Sequence, residues 1–260
     1  MSNPIVVKIG GSTLGSHDTT IEDVVTLQKK GKCLVVVHGG GKIITECLYK
    51  QNVVSQFVRG ERITDRPSLD VVAAVLAGLV NKEIVAAINS GGGRAVGISG
   101  VDGGLIEGKI REPEMGYTGI VTGVNKAILE TLFDAYYVPV VAPVGFNSLE
   151  MKLGATKMLN INADVVAGEI AAALGAERLI FLTDVAGVLD RSGKLLPRLT
   201  SSEAESMIAS GAAFGGMIPK LNACLRALSG NGTASIIDGR KPHALLNDME
   251  GKGEGTIINK

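Results

Sequence analysis

The feature that most restricts the fold is a series of short, continuous apolar runs set between helix-length amphipathic segments. The runs are "PIVVKI", "CLVVVHG", "RAVGIS", "YVPVVAPV", "RLIFLTDV", "TASIID" and "GTIIN". A run that is apolar throughout, rather than at every second position, is buried on both faces, as a strand inside a parallel sheet is. Helical patterns alternate with these runs: "TIEDVVTLQKK", "IITECLYKQ", "SLDVVAAVLAGLVNKEIVAAINS", "NKAILETLFDAY", "NADVVAGEIAAALG", "SSEAESMIAS" and "PKLNACLRALSG". The order predicts an α/β protein, a three-layer sandwich around an open, mainly parallel sheet. The segment from Leu105 to Val124 breaks the rhythm. Its alternating "LIEGKIRE" and "GYTGIVTGV" predict an inserted β-hairpin. A helix stop at Leu174-Gly175-Ala176 divides an N-terminal lobe, residues 1–174, from a C-terminal lobe, residues 175–260. The apolar stretch from Leu69 to Ile88 is broken by Asp70, Asn81, Lys82 and Glu83, so it reads as a packed helix rather than a membrane span.

Composition removes several classes of function. The 26 basic side chains balance 26 acidic ones, leaving no net field for nucleic acid or an anionic membrane. Aromatics at 3% and the lack of Trp disfavour a base-stacking platform. Cys33, Cys47 and Cys224 show no CxxC spacing and read as reduced thiols. "MSNPIVVKIGG" has no basic region before its apolar run, so it is not a secretory signal, and a cytoplasmic location is expected.

Ligands of open α/β sheets sit beyond the carboxyl ends of the strands, and there this sequence places its glycines. "PIVVKI" ends in Lys8, Gly10, Gly11 and Ser12; "CLVVVHG" runs into Gly39, Gly40 and Gly41; "RLIFLTDV" leads to Thr183, Asp184 and Gly187. Glycines so placed let backbone N–H groups turn toward a phosphate, aided by a following helix N-terminus. Each feature also has a plainer reading. A glycine pair after a strand serves as a turn, His38 as a hydrogen-bonded structural residue, and Lys8 as a strand-edge cation. In "NINAD", Asn160, Asn162 and Asp164 stand at the start of an apolar helix, where one of them would suffice as a cap. Lys220 in "GGMIPK" opposes a helix macrodipole, which a nearby anion would rationalise. Arg62 either grips a ligand carboxylate or pairs with Glu61 or Asp65 at the surface. The P-loop, the dinucleotide fingerprint and the protein-kinase HRD and DFG elements are all missing. Any nucleotide chemistry here uses a different plan.

The succession "KIGG", "VVHGGG", "RITD", "NKEIVAAINSGGGRAVGISGVDG", "NINADVVAGEIAAAL", "LIFLTDVAGVLDRSGKL", "GGMIPKL" and "IIDGRKPHALL" resembles the amino-acid kinase family from about Ile5 to the C-terminus, most closely its acetylglutamate branch. The resemblance implies transfer of the γ-phosphoryl of ATP, carried with Mg²⁺, to the side-chain carboxylate of N-acetyl-L-glutamate in arginine biosynthesis. The acid would bind in the first lobe and ATP in the second. It implies that Lys8, with Gly10 and Gly11, stabilises the moving phosphoryl, and that Gly40 and Gly41 donate to the acid and the γ-phosphoryl. Arg62 and Asn160 would clamp the α-carboxylate, Asp164 would orient both lysines, and Lys220 would serve the ATP side. Asp184, Val185, Ala186, Gly187, Val188 and Leu189, with Ala212, Ala213 and Phe214, would hold the nucleotide.

One departure matters: the family's "NGLR" is "RGER" here, which sets Arg59 and Glu61 beside the acid pocket. This keeps two alternatives in view, a carrier-linked aminoadipate kinase of lysine biosynthesis and a catalytically silent amino-acid-binding regulator. Only four residues precede Ile5, where arginine-inhibited relatives carry an extra helix. The resemblance therefore implies a homodimer without arginine feedback, with the helix around Leu69 to Ile88 as a candidate seam. Sedimentation is expected to give a dimer; a hexamer would overturn this.

Overall fold

Each of the apolar runs named above supplies a strand to one eight-stranded sheet, where these strands lie side by side. The computed structural model describes residues 3–10, 19–150, 156–228 and 232–260. In chain order the first elements are β1 (Ile5–Ile9), α1 (Thr20–Lys29), β2 (Leu34–His38), α2 (Gly41–Lys50), β3 (Phe57–Val58) and β4 (Glu61–Arg62). Then come α3 (Arg66–Ala73), α4 (Asn81–Ser90), β5 (Ala95–Ser99), β6 (Ile106–Ile110), β7 (Thr118–Val124) and α5 (Ala127–Asp134). They are followed by β8 (Val138–Ala142), β9 (Val144–Asn147), β10 (Met158–Ile161), α6 (Ala163–Leu174) and β11 (Arg178–Thr183). The chain finishes with β12 (Arg198–Thr200), α7 (Ser201–Ala209), α8 (Met217–Ala227), β13 (Thr233–Asp238), α9 (Ala244–Met249) and β14 (Gly255–Asn259).

The sheet order is β12-β14-β13-β11-β1-β2-β8-β5. From β5 through to β13 every neighbouring pair is parallel, and β14 turns the edge antiparallel. β1 and β2 are buried at all positions, as the continuous apolar runs require. Because side chains alternate across a strand, the two faces carry two separate cores. Val6, Val35, Val37, Leu179 and Phe181 pack with α6 and α8 through Val166, Ile170, Leu221 and Cys224. Ile5, Val7, Ile9, Val36 and Ile180 pack with α1, α2 and the long helix through Val24, Ile44, Leu76 and Ile84. Lys8 has the parity of Val6, which aims it at α6. His38 has the parity of Val36, which aims it the other way.

The structure corrects several expectations. The predicted hairpin exists, β6 antiparallel to β7, but it does not stand alone. It joins β9 and β10 in a closed four-stranded unit. The run "YVPVVAPV" therefore serves two sheets. Pro143, which has no N–H to give a ladder, separates β8 from β9. Asn160 lies on β10, ahead of the helix start, and only Asn162 caps α6, accepting from the Asp164 and Val165 N–H groups. The short β3, β4 and β12 and the six-residue α9 carry too few residues for a periodicity to register. The apolar helix runs from Arg66 to Ser90 and is long and apolar enough to cross a membrane by composition. Leu69, Val72, Leu76, Val80, Ile84 and Ile88 nonetheless bury one of its faces in the core. Its middle, Ala74–Val80, widens into π-helix.

α6 ends at Leu174 with Gly175 in the left-handed conformation. Further back, Gly168 meets α8: a Cβ there would fall 2.8 Å from Ala223 Cα and 2.9 Å from its carbonyl oxygen. Only glycine admits this approach. Gly168→Val is expected to cost about 1–3 kcal/mol through overpacking, read from urea unfolding. It should also disturb the first turns of α6 and α8, because Asp164 and Lys220 stand one turn from that contact.

Candidate active site

The carboxyl end of β1 delivers Lys8 into the interior, 7% exposed. A buried ammonium is costly unless an anion meets it, and Asp164 does. One oxygen of Asp164 lies 2.7 Å from Lys8 Nζ, and the other lies 2.8 Å from Lys220 Nζ. Asp164 belongs to the first turn of α6, where the helix dipole favours a negative charge. Lys220, in the first turn of α8, is the unfavourable partner of the same effect, and the carboxylate compensates it. Burial pushes the Asp164 carboxyl upward, but the ammonium groups of Lys8 and Lys220 outweigh it and hold the pKa below the ordinary value.

The triad separates two cavities. The first, of about 220 Å³, is lined by Lys8, Gly39, Gly40, Gly41, Arg62, Asn160 and Asp164, with Ile44, Phe57, Leu76, Thr118 and Pro143 as its apolar and neutral walls. α2 begins at Gly41 without a side-chain cap, so its first-turn N–H groups remain for a ligand. Arg62 is almost buried. Its guanidinium donates to Ser55 Oγ, to Thr45 Oγ1 at 2.8 Å and to the Gly41 carbonyl at 3.1 Å, and it lies 4.7 Å over the Phe57 ring. Neither Glu61 nor Asp65 neutralises it. Asp65 caps α3 through the Ser68 N–H, and Glu61 pairs with Arg111 at 2.8 Å. Among the described residues no ion pair engages Arg62, so its positive charge faces the cavity. Asn160 is positioned by its amide, which donates to Thr64 Oγ1 at 2.9 Å. Arg59 and Gly60, both at positive φ, turn the β3–β4 hairpin, and Arg59 reaches Glu112. The extra charges of "RGER" are thus matched by Arg111 and Glu112, beyond β6, while Glu61 also contributes to the wall of the first cavity, as the sequence expected.

The second cavity, about 660 Å³, begins at Lys220 and opens over the carboxyl end of β11. Asp184, Val185, Gly187, Val188, Leu189, Ala212, Ala213 and Phe214 line it; Ala186 does not. Val185, Leu189 and Phe214 belong to the few large apolar side chains left exposed, and their clustering on one rim marks a ligand site. Gly10 closes the β1 end by donating to the Leu182 carbonyl. Gly11 and Ser12 lie outside the described residues. Sequence reasoning missed Met207, Gly211 and Met217 in this cavity, and Thr45, Ser55, Phe57 and Thr64 around the first. None of these carries a pattern, since each contributes through tertiary position alone.

His38 is fully buried with its Nδ1 on the Gly39 carbonyl at 3.0 Å and its Nε2 facing the Asn81 amide at 3.2 Å. Burial lowers its pKa to about 4, with Lys8 and Lys82 acting in the same direction against the Gly39 hydrogen bond. The ring is neutral and holds the Gly39–Gly41 turn, the structural role the sequence favoured.

An α/β sheet that offers glycine N–H groups and paired ammonium groups between two cavities defines a phosphoryl-transfer class of protein. The chain matches the family model described as amino acid kinase family over residues 3–238, and it belongs to that family. An acetylglutamate kinase of Dehalococcoides mccartyi (strain CBDB1) is 48% identical over 254 residues, 98% of this chain and 93% of that protein. One of Nostoc sp. (strain PCC 7120) is 48% identical over 263 residues, 98% of this chain and 86% of the other. The crystal structure of smu.665 from Streptococcus mutans UA159 superposes with a TM-score of 0.83 at 28% identity, covering 100% of this chain and 99% of that one.

Asp164→Asn keeps the volume and removes the charge, leaving two ammonium groups without their anion. The variant is expected to lose about 3–5 kcal/mol of stability. The folded-state pKa lies below the unfolded one, so this contribution is complete above the unfolded value of about 3.9 and is lost as pH falls through the folded value. Unfolding measured from pH 6 downward should therefore show a steeper loss in the parent protein than in the variant.

Proposed function

We propose that this kinase transfers the γ-phosphoryl of MgATP to the side-chain carboxylate of N-acetyl-L-glutamate, giving an acyl phosphate in the second step of arginine biosynthesis. The observation that carries the reading is Asp164 holding Lys8 toward one cavity and Lys220 toward the other. The names of the relatives at 48% identity point to the same substrate. The N-terminal lobe, residues 1–174, takes the acid, and the C-terminal lobe, residues 175–260, takes the nucleotide. The larger cavity, with its apolar rim, suits a base and ribose.

The acceptor carboxylate is ionised at neutral pH, so the reaction needs no general base. It needs two anions brought into line and their charge neutralised as it moves. Arg62 meets the α-carboxylate with a charge that no other group claims, and Asn160 gives it a further donor. Gly40 and Gly41 present N–H groups to the acceptor and the γ-phosphoryl. Lys8 meets the phosphoryl oxygens from the side of the acid, and Lys220 meets them from the nucleotide side; Gly10, whose N–H is taken by the Leu182 carbonyl, has no part in this. Asp164 keeps both lysines aimed before the substrates arrive. Among the described residues no three His, Cys, Asp or Glu side chains converge as a metal site, and both Asp164 oxygens are occupied. Mg²⁺ enters this reading as part of the nucleotide substrate, where it would neutralise charge on the phosphates. We place the enzyme in the cytoplasm, in keeping with Cys33, Cys47 and Cys224 standing as thiols rather than disulfides, and as a homodimer. The outer face of the long helix, where Leu79 is exposed, is the candidate seam.

Incubation with MgATP, N-acetyl-L-glutamate and hydroxylamine is expected to yield the hydroxamate, faster than with aminoadipate on its carrier. No hydroxamate from any acidic amino-acid derivative would favour a silent regulator instead. Lys8→Ala should lose at least about 10²–10³ in kcat with a smaller change in ATP affinity, and near-normal turnover would remove Lys8 from the mechanism.

A further inference from the structure

A third cavity, of about 460 Å³, lies at the amino ends of the strands, the opposite end from the active site. Cys33, Arg94 and Tyr137, the residues immediately before β2, β5 and β8, line it. Its charges are all positive, Lys29, Lys32 and Arg94, and no carboxylate contributes to its wall. Lys32 has Glu177 at the margin of contact, 4.0 Å away. Among the described residues no ion pair engages Lys29 or Arg94. The negative end of the α1 dipole accounts for Lys29 at that terminus. It does not account for Arg94, which precedes a strand, or for the cavity between them.

The frame around these cations is fixed. The Gln28 amide donates to the carbonyls of Arg94 and Tyr136 at 2.8 and 3.1 Å, and its oxygen accepts from the Arg94 N–H at 2.8 Å. One side chain thereby ties together the strand ends of β5 and β8. The Arg94 guanidinium rests 4.6 Å over the Tyr137 ring, so its orientation is set without an ionic partner. Tyr136 adopts a left-handed φ of 58° and stays 77% exposed. That conformation is the left-handed cap that ends α5, with the Tyr136 and Tyr137 N–H groups donating to the Phe133 and Leu132 carbonyls, and it leaves the Tyr136 ring standing at the cavity mouth. Phe133 supplies a second aromatic wall.

We propose that this cavity binds a small aromatic anion, with a planar ring against Tyr136 and Phe133 and a phosphate or carboxylate held by Lys29, Lys32 and Arg94. The volume falls within the range of small-molecule sites. Fixed cations beside aromatic faces select a ligand that is both flat and negative. The proposal does not rest on the reaction assigned to the active site.

The test uses the whole protein, saturated with MgADP to occupy the nucleotide cavity, and titrates 1-naphthyl phosphate by its fluorescence. Saturable binding at one site per chain is expected. Lys29→Gln combined with Lys32→Gln should weaken it at least about tenfold, as loss of charge-assisted contacts does, with an unchanged melting temperature. Arg94→Gln should weaken it likewise, and uncharged 1-naphthol should bind at least about tenfold more weakly. A parallel titration with 1-naphthoate distinguishes a phosphate site from a carboxylate site. Absence of saturation at millimolar ligand, or equal affinity in the parent and the Lys29→Gln/Lys32→Gln variant, would overturn the proposal.

Discussion

A single carboxylate with an ammonium group on each oxygen is the constraint around which this fold is arranged. Neither lysine could be buried alone, and Asp164 could not be buried between neutral walls. Satisfying all three demands that β1, α6 and α8 meet at one point. The parity of Lys8 in β1, the first turn of α6 and the first turn of α8 supply that meeting. The apolar cores on the two faces then hold the geometry. Charges that need each other and strands that need covering on both sides are satisfied by one topology.

The sequence made the layers legible because parallel strands leave a simple trace. A run buried on both faces is apolar throughout, and β1, β2, β8 and β11 have that form. The four-stranded unit was less visible. β9 and β10 are only four residues each, too short for alternation to register, and Pro143 divides one apolar run between two sheets. The residues at the strand ends could be picked out because lysine, glycine and aspartate are unexpected there. Arg62 was ambiguous from sequence, with acidic neighbours on both sides. The structure resolves it by sending Glu61 to Arg111 and Asp65 to the α3 cap. The walls contributed by Phe57, Thr118 and Met207 had no local signal, since ordinary core residues and cavity-lining residues obey the same patterns.

The two cavities differ in physical character in the way the proposed phosphoryl transfer requires. The smaller is compact and rich in donors, with a guanidinium, an amide and a glycine turn converging on a volume suited to a short acid. The larger is wider and rimmed by apolar side chains, which suits a flat heterocycle. Lys8 and Lys220 stand at the passage between them. The neutral His38 beneath the glycine turn fits the same division, because it anchors the backbone without adding a charge that would repel Lys8.

The contact between Gly168 and Ala223 has a mechanical consequence. It sets how closely α6 and α8 approach one turn from their N-terminal ends, and with that the gap the Lys220 side chain spans to reach Asp164. The spacing of the charged centre is thus governed by a side chain that is missing rather than by one that is present.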